Sequence, residues 1–347
     1  MFRSAAILYG SSLHHLDHLA PLATLLDIPL IVDDIAMYDL AKKFYPKLRP
    51  ILSSSQEVYF YAVQNFEQLI TCRPRPLFDV DFFLPQQLLG KRVSTIWCPH
   101  GNSDKGKASF FMEGLKKEEL LLTYGKRMES FLRQKKVEVR RLCVGNYRHR
   151  YYLENKNFYD TLLQKEIFSS LLAKKTILYA PTWKDGENAS SFERFLNPLV
   201  ENCDDEINLI VKPHPNLFIS HPLEMESISK LAENRNHILI LKAMPVIYPL
   251  LNFIDAYLGD MSSIGYDFLI FQKPMFFLKN PDQVAVKSSH FLHKCGHNLS
   301  KEDPARIIKT IKKHLAKKDA SFAPIRENIY KQTFAAKANI EKILLST

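Results

Sequence analysis

Glycine is scarce in this chain, with eleven residues among 347. No stretch has the Gly-x-Gly-x-x-Gly spacing of a dinucleotide-binding turn, and none has the Walker A pattern of a P-loop. Both motifs need glycines where the backbone passes close to phosphate groups. The sequence therefore argues against a nicotinamide-dependent dehydrogenase and a P-loop nucleotide hydrolase, and no cofactor is expected.

Cysteines and long apolar runs are also few. The five cysteines are odd in number, widely scattered and without a Cys-x-x-Cys pair, which argues against a disulfide framework and suits a reducing cytoplasm. There is no run of eighteen consecutive apolar residues, and the first ten residues lack the apolar length and cleavage pattern of a signal peptide. We therefore expect a cytoplasmic protein without a membrane span.

Acidic residues are fewer than basic ones, which gives a net charge of +10. Residues 301–347 hold eleven lysines and arginines against five acidic residues. Such a segment suits nucleic acid, an anionic membrane surface, a phosphate-rich substrate or simply a solubilising face. No zinc-finger spacing or RNA-recognition signature accompanies it, so no nucleic acid partner is expected. We predict that this basic segment contacts anionic lipid at the inner face of the cell membrane, as in a peripheral protein.

The chain does contain a regular alternation of apolar runs and amphipathic stretches, in two series. This alternation predicts parallel β–α–β units and an α/β fold with two Rossmann-like, doubly wound domains. Ligands of such sheets bind beyond the carboxyl ends of the strands, so the active site is expected in a cleft that the two domains face. We predict an acceptor-side domain at 1–150, a helical connection at 151–174, a nucleotide-donor domain at 175–300 and basic C-terminal helices at 301–347.

The predicted strands are short runs rich in β-branched, aromatic and other apolar residues. They are Ala5–Tyr9, Pro29–Val32, Val58–Val63, Val93–Cys98, Leu120–Tyr124 and Val137–Val144, followed by Thr176–Ala180, Ile207–Lys212, His237–Leu241, Ile254–Leu258 and Met275–Leu278. Helical spacing of apolar residues predicts, among others, helices at Ile35–Phe44, Lys126–Gln134 and Ile325–Leu345.

The stretch Ile254–Leu278 joins a buried strand to a short polar turn and then a helix. The turn contains Gly259, Asp260 and the adjacent hydroxyls of Ser262 and Ser263. Backbone N–H groups at the start of a helix, together with hydroxyls, attract anions. We therefore predict a phosphate site here, while serine at such a place is also an ordinary helix cap.

Four polar clusters each follow a predicted strand directly. They are His100-Gly101, Thr182-Trp183-Lys184, Lys212-Pro213-His214, and Asp260 with Ser262, Ser263 and Asp267. One polar cluster at a strand end is routine, whereas four of them, spread over both halves of the chain, indicate an active site.

The residue types in these clusters suit transfer of a phosphate group. His100 can accept a proton from an alcohol because imidazole titrates near neutral pH, and Gly101 lets the backbone approach a ligand. His214 lies between two prolines that fix its backbone, and Lys212 adds a cation for a phosphate. The alternatives are a histidine that closes a loop, a rigid turn at a strand end and, for Trp183, an aromatic of the core or of a cleft wall.

The four motifs, in this order, resemble the CDP-glycerol glycerophosphotransferase family, the teichoic-acid primase and polymerase type. The resemblance rests on His-Gly after a strand, Tyr-Ala-Pro-Thr-Trp, Lys-Pro-His-Pro and Asp-x-Ser-Ser-x-x-x-Asp, over about residues 93–280. It implies a GT-B fold and transfer of glycerol phosphate from CDP-glycerol to a hydroxyl acceptor, lipid-linked, with release of CMP. By the same resemblance His100 is the base, His214 and the serine pair hold the pyrophosphate, and Asp267 assists nucleotide binding or transfer.

The chain departs from the family pattern in the motifs that would meet the donor. Lys184 stands where the family has arginine, and no basic residue directly follows the Pro-His-Pro turn. Lysine cannot make the bidentate contact of arginine, so another cytidine- or uridine-linked donor stays open. The alternatives are a nucleotide-sugar glycosyltransferase, a UDP-sugar 2-epimerase, or a non-catalytic protein that binds nucleotide or nucleic acid.

Two other groups of histidines carry weaker signals. The pattern His-x-x-His-x-Cys-x-His at His290–His297 has the composition of a metal cluster, but structural zinc sites use wider paired spacings, so no metal site is predicted. His14, His15 and His18 follow the first strand. For them a solvated loop and helix start is favoured over a place on the acceptor side.

Overall fold

The computed structural model of the chain describes residues 3–103, 113–184, 189–280, 291–317, 320–336 and 340–345. Its strands are β1 (Ser4–Leu8), β2 (Leu30–Val32), β3 (Pro50–Leu52), β4 (Gln68–Thr71), β5 (Ser94–Trp97), β6 (Leu120–Thr123), β7 (Arg141–Cys143), β8 (Thr176–Ala180), β9 (Asn208–Val211), β10 (Ile238–Ile240), β11 (Ala256–Gly259), β12 (Met275–Phe277) and β13 (His297–Asn298).

Helices connect and cover these strands. They are α1 (Leu13–Leu25), α2 (Ile35–Phe44), α3 (Val58–Asn65), α4 (Asp79–Leu89), α5 (Lys126–Gln134), α6 (Tyr147–Glu154), α7 (Lys156–Leu163), α8 (Phe192–Glu201), α9 (Pro215–Ser220), α10 (Pro222–Glu233), α11 (Ile247–Phe253), α12 (Ser263–Phe268), α13 (Ile307–Lys317) and α14 (Ala323–Thr333). A single π-helical turn at Gln164–Phe168 extends α7.

The strands form two parallel sheets. The first has the order β3-β2-β1-β4-β5-β6-β7, and the second has the order β10-β9-β8-β11-β12-β13. In each sheet the chain winds outward from a central pair, β1 and β4 in the first and β8 and β11 in the second, which is the doubly wound arrangement. The predicted α/β class with two Rossmann-like sheets is confirmed.

The chain divides into two compact units, each built around one sheet. Among the described residues, the first unit contains 3–102, 113–154 and everything from Lys331 onward, and the second contains Ser103 and the residues from Asn155 to Tyr330. The division therefore falls inside α14, so the first unit is assembled from both ends of the chain.

Apolar side chains fill both faces of the second sheet, because helices cover it on each side. Ile177, Tyr179 and Leu209 are buried in one cluster with Phe195 and Leu199 of α8. Strands buried on both faces read as nearly continuous apolar runs, which is why Thr176–Ala180 could be predicted with its observed bounds.

The predicted strand Val58–Val63 is wrong, since these residues form helix α3. Their valine, tyrosine and phenylalanine content is typical of a strand. However, Val58, Ala62 and Val63 are buried at helical spacing, and the true strand β4 begins five residues later, at Gln68. The burial of one apolar face therefore outweighed the local preference of these residues for a strand.

The last predicted helix is interrupted. Helix α14 ends at Thr333, and a separate 3₁₀ segment covers Ile340–Leu345. The backbone N–H of Ala335 donates to the Tyr124 carbonyl at 2.9 Å beyond the end of β6, and Phe334 packs on the Tyr124 ring. These contacts with the first unit replace the next helical turn.

Candidate active site

Three polar segments of the second unit leave its sheet at one edge. In-register pairing sets Ala180 of β8 beside Gly259 of β11, and β9 lies on the other side of β8. Because the strands are parallel, the segments that begin at Pro181, Lys212 and Asp260 all start at the carboxyl edge of the sheet. This is the edge where doubly wound sheets bind ligands.

Asp260 is fully buried, and its carboxylate accepts hydrogen bonds from the protein. The N–H of Thr182 donates to Oδ1 at 2.9 Å, and both the N–H and the hydroxyl of Ser191 donate to Oδ2 at 2.8 Å. These donors stand in for water around a buried charge. Asp260 therefore holds the Thr182 turn against the start of α8. The contact of its carboxylate with substrate stays a prediction.

His214 caps the N-terminus of α9 with its own ring. Its Nδ1 accepts the N–H of Asn216 at 3.2 Å, and its backbone N–H donates to the Pro181 carbonyl at 3.3 Å. An imidazole whose Nδ1 accepts a hydrogen bond carries its proton on Nε2 when it is neutral. In this state His214 offers an N–H donor, which suits a phosphate oxygen better than it suits abstraction of a proton.

A partly exposed aromatic and two lysines lie in the same segments. Trp183 is 36% exposed, and its ring lies 6.0 Å from that of His214. Lys184 pairs with Glu193 at 3.4 Å, while Lys212 is half-buried and its backbone N–H donates to the Tyr179 carbonyl. The edge thus combines cations with a flat apolar surface.

The serine pair opens α12, and both serines are half-buried. Gly259 is required just before them, because a Cβ there would clash with the hydroxyl of Tyr257. Tyr257 is fully buried, and burial raises the pKa of its phenol well above the usual value. The close packing of Tyr257 thus sets the position of the turn that carries the two hydroxyls.

Asp267 lies inside the second unit, with 3% of its surface exposed. The hydroxyl of Tyr248, on α11, donates to its Oδ1 at 2.9 Å. This bond ties α11 to α12. The predicted assistance of Asp267 in nucleotide binding or transfer therefore fits an indirect effect through the position of α12.

In the first unit, His100 projects from the loop that follows β5. Gly101 has φ +132°, a backbone conformation that favours glycine. The hydroxyl of Tyr124 donates to the Pro99 carbonyl at 2.7 Å and also contacts Nδ1 of His18 at 2.6 Å, which anchors this loop from below. Loss of water around the ring lowers the pKa of His100 to about 4, so the imidazole is neutral at neutral pH.

A buried ion pair that sequence reasoning missed supports the same loop from α1 and α6. Arg148 pairs with Asp17 at 2.8 Å, and the Tyr147 hydroxyl donates to the His18 carbonyl at 3.0 Å. Burial, followed by the charge of Arg148, lowers the pKa of His18 well below its usual value. The sequence signal that could have indicated this pair is a charged residue of each sign among the mostly apolar or aromatic residues of α1 and α6.

The interpretation of His14, His15 and His18 as a solvated loop and helix start is right about the helix start and wrong about the solvent, most clearly for His18. His18 is buried, while His14 and His15 are half-buried in the first turn of α1. The ring of His15 lies 4.8 Å from that of His100, and the ring of His14 lies 5.6 Å from it. The loop after β5 therefore brings three imidazoles together.

The described members of the group at His290–His297 have separate partners, and His290 itself lies outside the described residues. His293 Nε2 lies 3.3 Å from the Asp260 carbonyl, and the ring of His297 packs on that of His314 at 3.9 Å. These contacts join the second sheet to the segments that surround it.

A known family matches the part of the chain that contains the polar segments at the carboxyl edge of the second sheet. Residues 152–317 match the sequence model of the family described as CDP-Glycerol:Poly(glycerophosphate) glycerophosphotransferase. The matched segment contains the Thr182, His214 and Ser262 turns. The resemblance expected from the motifs is confirmed.

One curated relative extends the similarity beyond this segment. The teichoic acid poly(glycerol phosphate) polymerase of Bacillus subtilis (strain 168) is 24% identical to the chain over 233 residues, which is 65% of the chain. The chain spans 30% of the length of that relative.

Solved structures show the fold of the whole chain. A variant of the wall teichoic acid polymerase TagF aligns with a TM-score of 0.69 at 16% identity, covering 99% of this chain and 86% of the other. Alr3699/HepE of Anabaena, in complex with UDP-glucose, aligns with a TM-score of 0.59 at 10% identity, covering 100% and 99%. The predicted GT-B-like fold is confirmed. Among the described residues, none of the helices has both the length and the apolar composition that crossing a membrane requires.

Proposed function

We propose that the protein is a transferase that moves a glycerol-phosphate unit from CDP-glycerol to a hydroxyl acceptor in the synthesis of a teichoic acid-like envelope polymer, with release of CMP. The observation that carries the proposal is the carboxyl edge of the second sheet. There Lys212, His214 and the pair Ser262 and Ser263 lie within the segment that matches the family model.

The proposed reaction exchanges one phosphorus–oxygen bond for another. The acceptor oxygen bonds to the phosphorus that carries glycerol, and the bond from that phosphorus to the bridging oxygen breaks. The bridging oxygen leaves with CMP, and negative charge grows on it and on the oxygens of the transferred group. The Nε2–H of His214, the Lys212 ammonium and the serine hydroxyls are donors suited to that charge, which such groups stabilise most when they are fixed in advance.

The acceptor hydroxyl must also lose its proton. His100 is the residue proposed for this step, because its half-buried ring stands on a loop anchored by Tyr124. The proton passes from the acceptor oxygen to the imidazole as the new bond forms. The buried network of Asp17, Arg148 and Tyr147 supports that loop and does not itself exchange a proton.

The test is release of CMP from CDP-glycerol by the purified chain, with a lipid-linked hydroxyl acceptor and the variants His100→Asn and His214→Ala. Loss of one fixed donor to a developing anion lowers kcat by about 100-fold, which is the result expected for His214→Ala. His237→Ala is the matched control, since this histidine bonds to the Cys203 carbonyl at the start of β10 and should leave kcat unchanged. Equal kcat in all variants would contradict the assignment.

A panel of CDP- and UDP-linked donors distinguishes the proposed function from the alternative transferase reactions. Lys184 in place of the family arginine and the shared fold of Alr3699/HepE in complex with UDP-glucose make a nucleotide-sugar transferase the second candidate. Turnover of a UDP-sugar without turnover of CDP-glycerol would retain the fold and replace the proposed reaction.

The acceptor is proposed to be lipid-linked and to meet the protein at the inner face of the cell membrane. Lys309, Lys313 and Lys317 recur every four residues along α13 and are exposed, on the side away from the buried Ile307 and Ile311. Lys312 is instead engaged by Asp204 and Glu206. The exposed lysines form a stripe that suits anionic lipid, each contributing about 1 kcal/mol near the surface.

Sedimentation with anionic phosphatidylserine vesicles at low salt tests this stripe. The double substitution Lys309→Glu and Lys313→Glu should weaken binding by at least about 30-fold, because loss of the two lysines alone removes about 2 kcal/mol and the new carboxylates add repulsion. Lys42→Glu with Lys43→Glu, at the end of α2, makes the same change in net charge on an exposed helix of the first unit. If both pairs weaken binding equally, the stripe has no special role.

A further inference from the structure

Three imidazoles of the first unit converge from two parts of the chain. His14 and His15 belong to the first turn of α1, and His100 belongs to the loop after β5. The ring centroids of His14 and His15 lie 4.3 Å apart, and one nitrogen from each of the three rings lies within 4.8 Å of the others. All three side chains are half-buried.

The chemistry of the donor set selects a class of ligand. Imidazole nitrogens suit zinc, copper, nickel and iron, whereas magnesium and calcium require oxygen ligands. Three histidines with a fourth position left for water or substrate are a composition found in zinc enzymes. Nitrogens bound to one tetrahedral ion at about 2.1 Å lie roughly 3.4 Å apart, so small rotations of these rings would complete the site.

The backbone on both sides of the group is held in place. Helix α1 is buried over most of its length after its first turn, and Arg148 fixes it through Asp17. The Pro99 carbonyl, next to His100, accepts the hydrogen bond from Tyr124. The rings can therefore adjust about fixed Cα positions, which limits the entropy lost when an ion binds.

We propose that His14, His15 and His100 form a binding site for one divalent transition-metal ion of the zinc class. The site belongs wholly to the first unit and uses none of the residues at the edge of the second sheet. An ion there occupies the imidazole that the proposed reaction requires as a base, so zinc binding and proton transfer at His100 exclude each other. That consequence rests on the proposed function, whereas the binding itself does not.

Titration calorimetry with Zn²⁺ on the full chain, after removal of metals by a chelator, tests the site. The wild type should bind one equivalent that His14→Ala and His15→Ala each weaken by at least about 100-fold, since loss of an outer-shell partner alone costs up to that factor. His149→Ala, on α6 of the same unit, is the matched control and should retain the equivalent. Circular dichroism confirms that each variant is folded.

Three results would overturn the proposal. One is absence of zinc binding in the wild type. Another is binding that survives in both His14→Ala and His15→Ala. The third is binding abolished by His297→Ala instead, which would move the ion to the second unit. The titration needs no turnover, so failure of the metal site and failure of the transferase reaction give separate results.

Discussion

The carboxylate of Asp260 accepts hydrogen bonds from two residues that lie far from it in the chain. Thr182 follows β8 and Ser191 precedes α8, yet both donate to this one side chain at the end of β11. A buried carboxylate with three such donors is stable only while the donors stay in place. The position of the Thr182 turn therefore depends on a residue 78 positions away.

Replacing Asp260 by asparagine should lower the free energy of unfolding by about 3 kcal/mol. The charge that strengthens these hydrogen bonds is lost, and the new amide N–H₂ would face N–H and hydroxyl donors. Urea denaturation followed by circular dichroism measures the change. Asp205→Asn, at an exposed loop position, makes the same substitution and should change the free energy by less than about 0.5 kcal/mol.

At the scale of the elements, Glu118 links three segments of the first unit in front of β6. Its carboxylate accepts the backbone N–H of Arg75 at 2.6 Å and the hydroxyl of Thr95, on β5, at 3.3 Å. Burial raises its pKa to about 7, against the opposing influence of these bonds and of the Arg75 charge, while Asp79 raises it further. The folded protein therefore retains this proton to a higher pH than the unfolded chain does.

The stability of the protein should consequently fall as the pH rises from about 4.5 to about 7. In this range the unfolded chain has released the proton and the folded chain has not, so ionisation favours unfolding, by a total on the order of 3 kcal/mol. Melting curves of wild type and Glu118→Gln across this range measure the difference. The variant should lose this slope, whereas Glu119→Gln, at an exposed neighbour that pairs with Arg75, should keep it.

Local sequence predicted the elements whose pattern agrees with their packing. Helices Ile35–Phe44 and Lys126–Gln134 and strand Thr176–Ala180 have the predicted bounds, because apolar spacing and burial coincide there. Strand β3, at Pro50–Leu52, was missed because it is a short edge strand with partly exposed side chains. Helix α3 was misread because its β-branched and aromatic residues are typical of a strand.

The same limit applies to the candidate site. The clusters after the strands could be found, since a polar group directly after an apolar run is a local pattern. The contact of Asp260 with Ser191 and the approach of His14 and His15 to His100 could not, because each depends on how distant segments pack. Sequence therefore identified the segments where chemistry could occur. Packing decided which side chains bond to the protein itself, as Asp260 does, and which ones come together at a possible ligand site, as the three histidines do.

At the scale of the molecule, the end of the chain completes the first unit. Phe334, Ile340 and Ile343 are buried, and Phe334 packs edge-on against Tyr124. An added Cβ at Gly125 would meet the Thr333 carbonyl at 2.7 Å. These residues belong to the unit that begins with β1, although more than 150 residues of the second unit separate the two segments.

Phe334→Ala should destabilise the first unit by about 3 kcal/mol, because a buried ring is removed from a contact that cannot collapse freely. Hydrogen exchange read by mass spectrometry should show faster exchange in β1, β5 and β6 and unchanged exchange in β8 and β9. Ile219→Ala, at a side chain that is 80% exposed, is the control and should leave both sheets unchanged. Equal loss of protection in the two sheets would show that the chain end does not belong to one unit.

Because residues after Tyr330 belong to the first unit, the two units must complete their folding in a set order during synthesis. The ribosome releases the N-terminal segment first, and domains generally fold as they emerge. The second unit is complete once Tyr330 has emerged, whereas the first unit must wait for the residues that follow it. The first unit, whose synthesis starts before that of the second, is thus completed after it, and until then the Tyr124 ring lacks its contact with Phe334.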